Sequence, residues 1–155
     1  MKRYTKFHHA KFHRVLSIAC ATICAVPAFA QNTAQVPNSA DLTISTAPVQ
    51  VEIVLHCAFQ SECFEAETCS DTTFSFDLNG RAGGLAESDM VVQTELTSEI
   101  GDTDLLGVRT GSALSLSGGS FEARHLLTIA EDGAARYTLH YADGPMTISY
   151  LGDCS

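Results

Sequence analysis

The stretch FEARHLLTIAEDGAARYTLHYADGPMTISYLGDC, Phe121 to Cys154, decides the fold. It reads as three alternating runs joined by two turns and closed by a cysteine. Strand side chains alternate between faces, so Phe121, Ala123, His125, Leu127 and Ile129 share one face. Ala135, Tyr137, Leu139 and Tyr141 share a face of the second run. A hairpin must bring both apolar sets to one side of the sheet. A two-residue Asp132-Gly133 turn would set Ile129 against Arg136 and fails this test. A three-residue loop, Glu131-Asp132-Gly133, pairs Ile129 with Ala135, Leu127 with Tyr137 and His125 with Leu139. Such loops want positive φ at their end, which Gly133 supplies. The loop Ala142-Asp143-Gly144-Pro145 then pairs Tyr141 with Met146, Leu139 with Ile148 and Tyr137 with Tyr150. A three-stranded meander with one aromatic and aliphatic face follows.

Residues 1–30 read as a secretory signal. Lys2, Arg3, Lys6, Lys11 and Arg14 form a basic start, and Val15 to Val26 is a short apolar run. Ala28-Phe29-Ala30 is a small-x-small cleavage site that predicts a mature start at Gln31. The run is too short for a membrane span, and Ser17-Ile18-Ala19-Cys20 is a poor lipobox. The expected location is periplasmic or secreted. After cleavage, four arginines and no lysine stand against eighteen Asp and Glu, a net charge of −14. That balance argues against nucleic acid and anionic membrane surfaces, and suits a basic protein partner or a divalent cation.

Cys57, Cys63, Cys69 and Cys154 remain after cleavage. An even count in an exported chain reads as two disulfides. Their spacing lacks the close pairs of a zinc site or a redox motif, and no cofactor is expected. Cys63–Cys69 would staple a polar loop. Cys57–Cys154 would join the first strand to the last.

Working outward, Gln31 to Ala47 is a polar lead and residues 48–155 form the β domain. Val49 to Phe59 alternates as a first strand. Gln60 to Asp71 reads as an acidic loop carrying Glu62, Phe64, Glu65 and Glu67. Thr72 to Leu78 is a second strand ended by an Asn79-Gly80 turn, and Arg81 to Asp89 is loop-like. Met90 to Leu96 is a third strand, and Ser98 to Asp104 another acidic loop. From Leu106 to Leu116 the even positions hold one phase, read as one long strand bent at Gly111 or two strands turning there. The fold class is all-β: a single-domain antiparallel meander of seven or eight strands, as a small barrel or folded-over sheet, with a Greek-key sandwich as the alternative. The cysteine pairing favours seven, because both cysteines are placed at the C-terminal ends of their strands and must share a rim.

No catalytic or nucleotide-binding motif is present, so the domain reads as non-enzymatic. His125 faces the apolar side as a hydrogen-bonded core residue, and His140 lies opposite Arg124. Glu99, Asp102 and Asp104 read as a solvated turn, offering too few oxygens for calcium. Glu62, Phe64, Glu65 and Glu67, in the loop around the Cys63–Cys69 staple, are the candidate protein contact, since a held loop costs less to order on binding. The alternative is a small-ligand barrel lined by Tyr137, Tyr141, Tyr150 and Phe121.

With its Cys57-x5-Cys63-x5-Cys69 start, its LLTIAEDGAARYTLHYADGP hairpins and its Tyr150-x-Gly152-x-Cys154 end, the chain resembles small exported, disulfide-bonded bacterial β proteins with no assigned function. Its layout is similar to that of the membrane-bound inhibitors of c-type lysozyme, small periplasmic barrels with one cysteine in an early strand and another at the end. The resemblance implies an inhibitor-like role. It departs from that family in lacking a match to the inhibitory loop and any lysine to serve it, so no residue role carries over.

Overall fold

The computed structural model describes residues 43–144 and 146–155. The signal and cleavage site lie outside the described residues, as does Pro145. Nine strands form one antiparallel sheet: β1 (Val49–Phe64), β2 (Ser70–Asp71), β3 (Ser75–Ala86), β4 (Asp89–Ser98), β5 (Gly101–Thr110), β6 (Ala113–Gly119), β7 (Ala123–Ile129), β8 (Ala134–Tyr141) and β9 (Met146–Cys154). From β3 to β9 each strand pairs with the next, and β1 pairs with both β3 and β9. The sheet therefore closes into an eight-stranded barrel, with β2 an extra short strand on β1. Sequential neighbours throughout exclude the Greek-key alternative.

The C-terminal meander has the expected register. Ile129 faces Ala135, Leu127 faces Tyr137 and Thr128 faces Arg136 across β7 and β8. Tyr137 faces Tyr150 and Leu139 faces Ile148 across β8 and β9. Gly133 takes φ 90°, the left-handed conformation its loop requires.

The long even-phased run is two strands, so the barrel has eight staves and not seven. Thr110 pairs with Ala113, leaving a two-residue Gly111-Ser112 turn, with Gly111 at φ 63°. Arg109 then lies opposite Leu114, so the inward phase is odd on β5 and even on β6. Leu105 is buried while Leu106 and Val108 are more than half exposed. The apparent common phase of Leu106 to Leu116 joins an outward row to an inward one.

Cys57 pairs with Cys154 although the strand count is even. Cys57 lies in the middle of β1, not at its end. Residues 49–58 of β1 pair with β3, and residues 57–64 pair with β9. Closing a barrel requires this stagger, and it brings the end of β9 to the middle of β1. His56 and Ser155 exchange both backbone hydrogen bonds, at 2.9 and 3.0 Å. The adjacent Cys57/Cys154 position lies between hydrogen-bonded pairs, where strands approach most closely, and the Cα atoms are 4.0 Å apart.

Three segments read as loops are strand. β1 runs on to Phe64, β5 begins at Gly101, and β3 continues through Asn79-Gly80 to Ala86. Gly80 is a close approach and not a turn: a Cβ there would lie 2.1 Å from the Gln93 carbonyl oxygen on β4. Its missing side chain leaves room for Thr94, its direct partner on β4. Thr43 to Ala47, the described end of the N-terminal lead, forms a short 3-10 turn (Ile44–Thr46) whose Ala47 is buried.

The lumen is filled. Ile53, Leu78, Val92, Leu96, Leu105, Leu116, Leu127 and Leu139 supply the aliphatic core. Phe59, Phe74, Phe76, Tyr137 and Tyr150 form an aromatic cluster with ring centroids 4.7–6.1 Å apart, in offset and tilted arrangements that suit their quadrupoles. Phe121 does not join them; it is 85% exposed just before β7.

Candidate functional site

The two ends of the barrel differ. At one end lie the C-terminal end of β1, the start of β9, the β4–β5 turn, the β6–β7 turn and the β8–β9 loop. That end is called the mouth below.

The mouth owes its chemistry to a slip in β1. Phe59 pairs with Gly152, but Ser61 pairs with Leu151, so Gln60 is a bulge. One extra residue reverses the phase of everything after it. Glu62 therefore lies opposite Tyr150 and Phe64 opposite Ile148, both on the lumen side. The Tyr150 hydroxyl donates to Glu62 Oε1 at 2.9 Å. Burial, the acceptor Glu62 and its charge all push the Tyr150 phenol well above its usual range.

A second pair sits beside it, on the neighbouring strands β7 and β8. His125 Nδ1 and the Tyr137 hydroxyl are 2.5 Å apart. The phenol proton has no other acceptor among the described residues, so it goes to Nδ1 and leaves the neutral ring protonated at Nε2. Burial, then the charge of Arg124, lowers the His125 pKa. Burial chiefly, with Tyr141 and Tyr150 nearby, raises that of Tyr137. His125 is thus the hydrogen-bonded lumen residue its phase predicts, and His140 does face Arg124. His56, on the outer wall, pairs with Asp77 at 2.8 Å.

Beside this pair the lumen opens into a cavity of about 210 Å³, walled by Leu96, Leu139, His125, Tyr137 and Tyr141 and edged by the β4–β5 turn. A shallower hollow of about 560 Å³ lies on the outer wall, between the Thr43–Ser45 turn and Asn79, Arg81, Gln93, Glu95 and Asp104.

The disulfide loop borders the mouth. Cys63 bonds Cys69 with Cα atoms 4.2 Å apart. The structure divides the four candidate contact residues. Glu62 is committed to Tyr150. Glu65 has φ 47°, its amide donates to the Thr147 carbonyl at 3.0 Å, and its carboxylate accepts the Thr147 amide, so it ties the loop to β9. Phe64 is 39% exposed and Glu67 is exposed, and neither side chain has a polar partner here. The loop, the turns and the β8–β9 loop give this end Glu67, Glu99, Asp102, Glu122 and Asp143, all exposed, against Arg124. Among the described residues no group of three or more His, Cys, Asp or Glu is placed to hold a metal.

These features define a class: a closed, disulfide-bonded, eight-stranded antiparallel barrel with a filled lumen and an acidic, aromatic mouth. No family model, curated protein or solved structure matches the chain, so its function is argued from its own geometry. Two disulfides suit an oxidising compartment, and no helix among the described residues is long and apolar enough to cross a membrane.

Proposed function

We propose that this chain is an exported, non-catalytic binding domain, periplasmic or secreted, that engages a basic protein through the acidic mouth of its barrel. The observation that carries the reading is the joining at one rim of five exposed carboxylates, against Arg124 alone, with a disulfide-stapled loop; the opposite end also carries exposed carboxylates, Glu87, Asp89, Glu131 and Asp132 among them, but no such loop. A field of one sign at a rigid rim speeds encounter with a partner of opposite charge and rejects nucleic acid. The Cys63–Cys69 staple and the Glu65–Thr147 contacts hold the loop in one shape, which lowers the ordering cost of binding. If the partner is an enzyme, a rim seated over its cleft would make the domain an inhibitor.

The filled lumen supports this reading over a ligand-carrying barrel. The mouth cavity of about 210 Å³ falls below the roughly 300–1,000 Å³ of small-molecule pockets. The test is capture from extract at low salt, with elution at high salt. Capture that survives high salt, or a small molecule released from denatured protein, would favour the alternative.

A further inference from the structure

We propose that the free edge of β1, from Gln50 to Val54, is a docking site for an extended peptide segment of a partner, added as one more antiparallel strand with a basic residue opposite Glu52. The inference goes beyond the mouth reading and concerns the other end of the barrel.

The edge follows from the stagger that closes the barrel. β1 pairs with β3 from Val49 to Ala58, but with β9 only from Cys57 onward. His56 and Ser155 exchange the last backbone bonds on the β9 side. Backbone groups in an antiparallel ladder point to alternate sides at successive residues. The Phe59 amide donates to the Phe74 carbonyl, so odd positions of β1 bond towards β3 and even ones towards β9. The N–H and C=O of Gln50, Glu52 and Val54 therefore face a lane beyond the end of β9, and no described residue takes them. A peptide in that lane would continue the line of β9 and pair with β1 as β9 does. Strand addition draws its affinity from such main-chain bonds and its selectivity from alternate side chains.

The side chains say what the peptide must carry. Val51 and Leu55 face inward and pack on the core, yet both are only partly buried. A strand beside them would cover them with every second side chain. On the outer face Glu52 stands at the centre of the edge, exposed. A shallow hollow of about 260 Å³ lies against it, lined by Gln50, Val51, Glu52 and Arg81. Glu52 faces Arg81 across β1 and β3, but the one ion pair among the described residues is His56–Asp77. Two more exposed carboxylates border the lane: Asp153 near the end of β9, and Asp132 in the turn whose Gly133 carbonyl accepts the Cys154 amide. Three carboxylates against Arg81 favour a basic residue in the added strand. The same charge rejects a second copy of the chain. Pairing two such edges about their centre would set one Glu52 against the other, and like charges directly opposite destabilise a sheet.

The test is amide NMR of the disulfide-bonded protein with the peptide acetyl-Thr-Thr-Val-Lys-Val-Thr-Thr-amide and its counterpart with glutamate at the centre. In the free protein the Glu52 and Val54 amides should exchange fast with solvent, and those of Ile53 and Leu55 slowly. The lysine peptide should shift and protect the Glu52 and Val54 amides saturably, without moving the His125 and Tyr137 rings at the mouth. The glutamate peptide should bind about fivefold or more weakly, the scale of exchanging an attractive cross-strand pair for a repulsive one. Glu52→Lys should reverse the order of the two peptides, which overall charge could not do. Val54→Pro removes an edge amide that has no ladder bond to lose and should abolish binding of the lysine peptide. Edge amides already protected in the free protein would show that residues 31–42 or a second copy hold the edge, and would overturn the inference. The absence of a saturable shift, full affinity in folded Val54→Pro, or an unchanged peptide order in Glu52→Lys would overturn it equally.

Discussion

Tyr150 donates its phenol hydrogen to Glu62 across β1 and β9 at 2.9 Å, and the pair exists because β1 slips by one residue at Gln60. The slip, more than any single side chain, sets the chemistry of the mouth. Glu62→Leu should remove the carboxylate that the slip turns inward while leaving the bulge in place. The Tyr150 phenol would then lose the acceptor that helps raise its pKa. Ultraviolet titration of the variant should show one tyrosine ionising at lower pH than in the parent protein. An unchanged tyrosine titration would contradict the assignment.

Alkali should destabilise the barrel through the same groups. Tyr137 and Tyr150 have pKa values raised in the folded state, chiefly by burial. The unfolded chain loses those protons first, near the ordinary value of 10.0. Stability from these groups is therefore complete below that pH and falls as pH rises through it. His125 acts at the other end of the scale. Its folded pKa lies below 6.5, so its contribution is present above that value and is lost as pH falls through the folded pKa. Urea unfolding across pH should give a plateau between these limits. Rising stability above pH 10 would contradict the burial of the two phenols.

The two disulfides should contribute unequally. Cys57–Cys154 spans 97 residues and Cys63–Cys69 spans 6. The chain-entropy relation gives about 4–5 kcal/mol for the first and about 2 kcal/mol for the second. Paired Cys→Ser variants, compared by urea unfolding, should rank in that order. Removal of Cys63–Cys69 should leave the barrel folded and weaken partner capture.

Two core positions make opposite predictions. Gly80→Ala would push a Cβ to within 2.6 Å of the Thr94 Cα, and overpacking of that kind costs about 1–3 kcal/mol. Thr94 itself is 2% exposed, and its hydroxyl has no partner among the described residues. Thr94→Val removes that unpaired group at nearly constant volume and should stabilise the barrel by about 1 kcal/mol. A destabilised Thr94→Val would mean that the hydroxyl is satisfied in solution.

The legible parts of this fold are those where two local signals agree. In the meander, the alternation of Leu127, Ile129, Tyr137 and Leu139 and the turn chemistry of Asp132-Gly133 demand one register, and the barrel adopts it. The disulfide pairing was legible too, because Cys57 and Cys154 both fall on apolar phases. Strand number was not, since a two-residue turn at Gly111 shifts the inward phase and Leu106 to Leu116 conceals the shift by continuing an outward row. Gly80 carried a turn signal, but it lies within β3, where its missing side chain permits a close approach to β4. The mouth was half legible. The acidic, disulfide-held segment stood out, whereas the inward turn of Glu62 depends on a bulge that no local residue type announces. Phe121 looked like lumen by phase, yet it lies before the start of β7, where alternation no longer governs its direction.

The central claim is that the acidic mouth is the binding face, and its most direct measurement is a comparison of the two rims. One variant would carry Glu67→Gln, Glu99→Gln and Glu122→Gln at the mouth. The other would carry Glu87→Gln, Asp89→Asn and Glu131→Gln at the opposite end, an equal change in net charge. Each would be used to capture basic protein from extract at low salt, and the Kd for the captured partner would be measured against salt. The account predicts that the mouth variant loses about tenfold or more in affinity and flattens the salt dependence, while the opposite variant binds like the parent. Equal losses in both would show that overall charge, not the mouth, attracts the partner, and would contradict the claim.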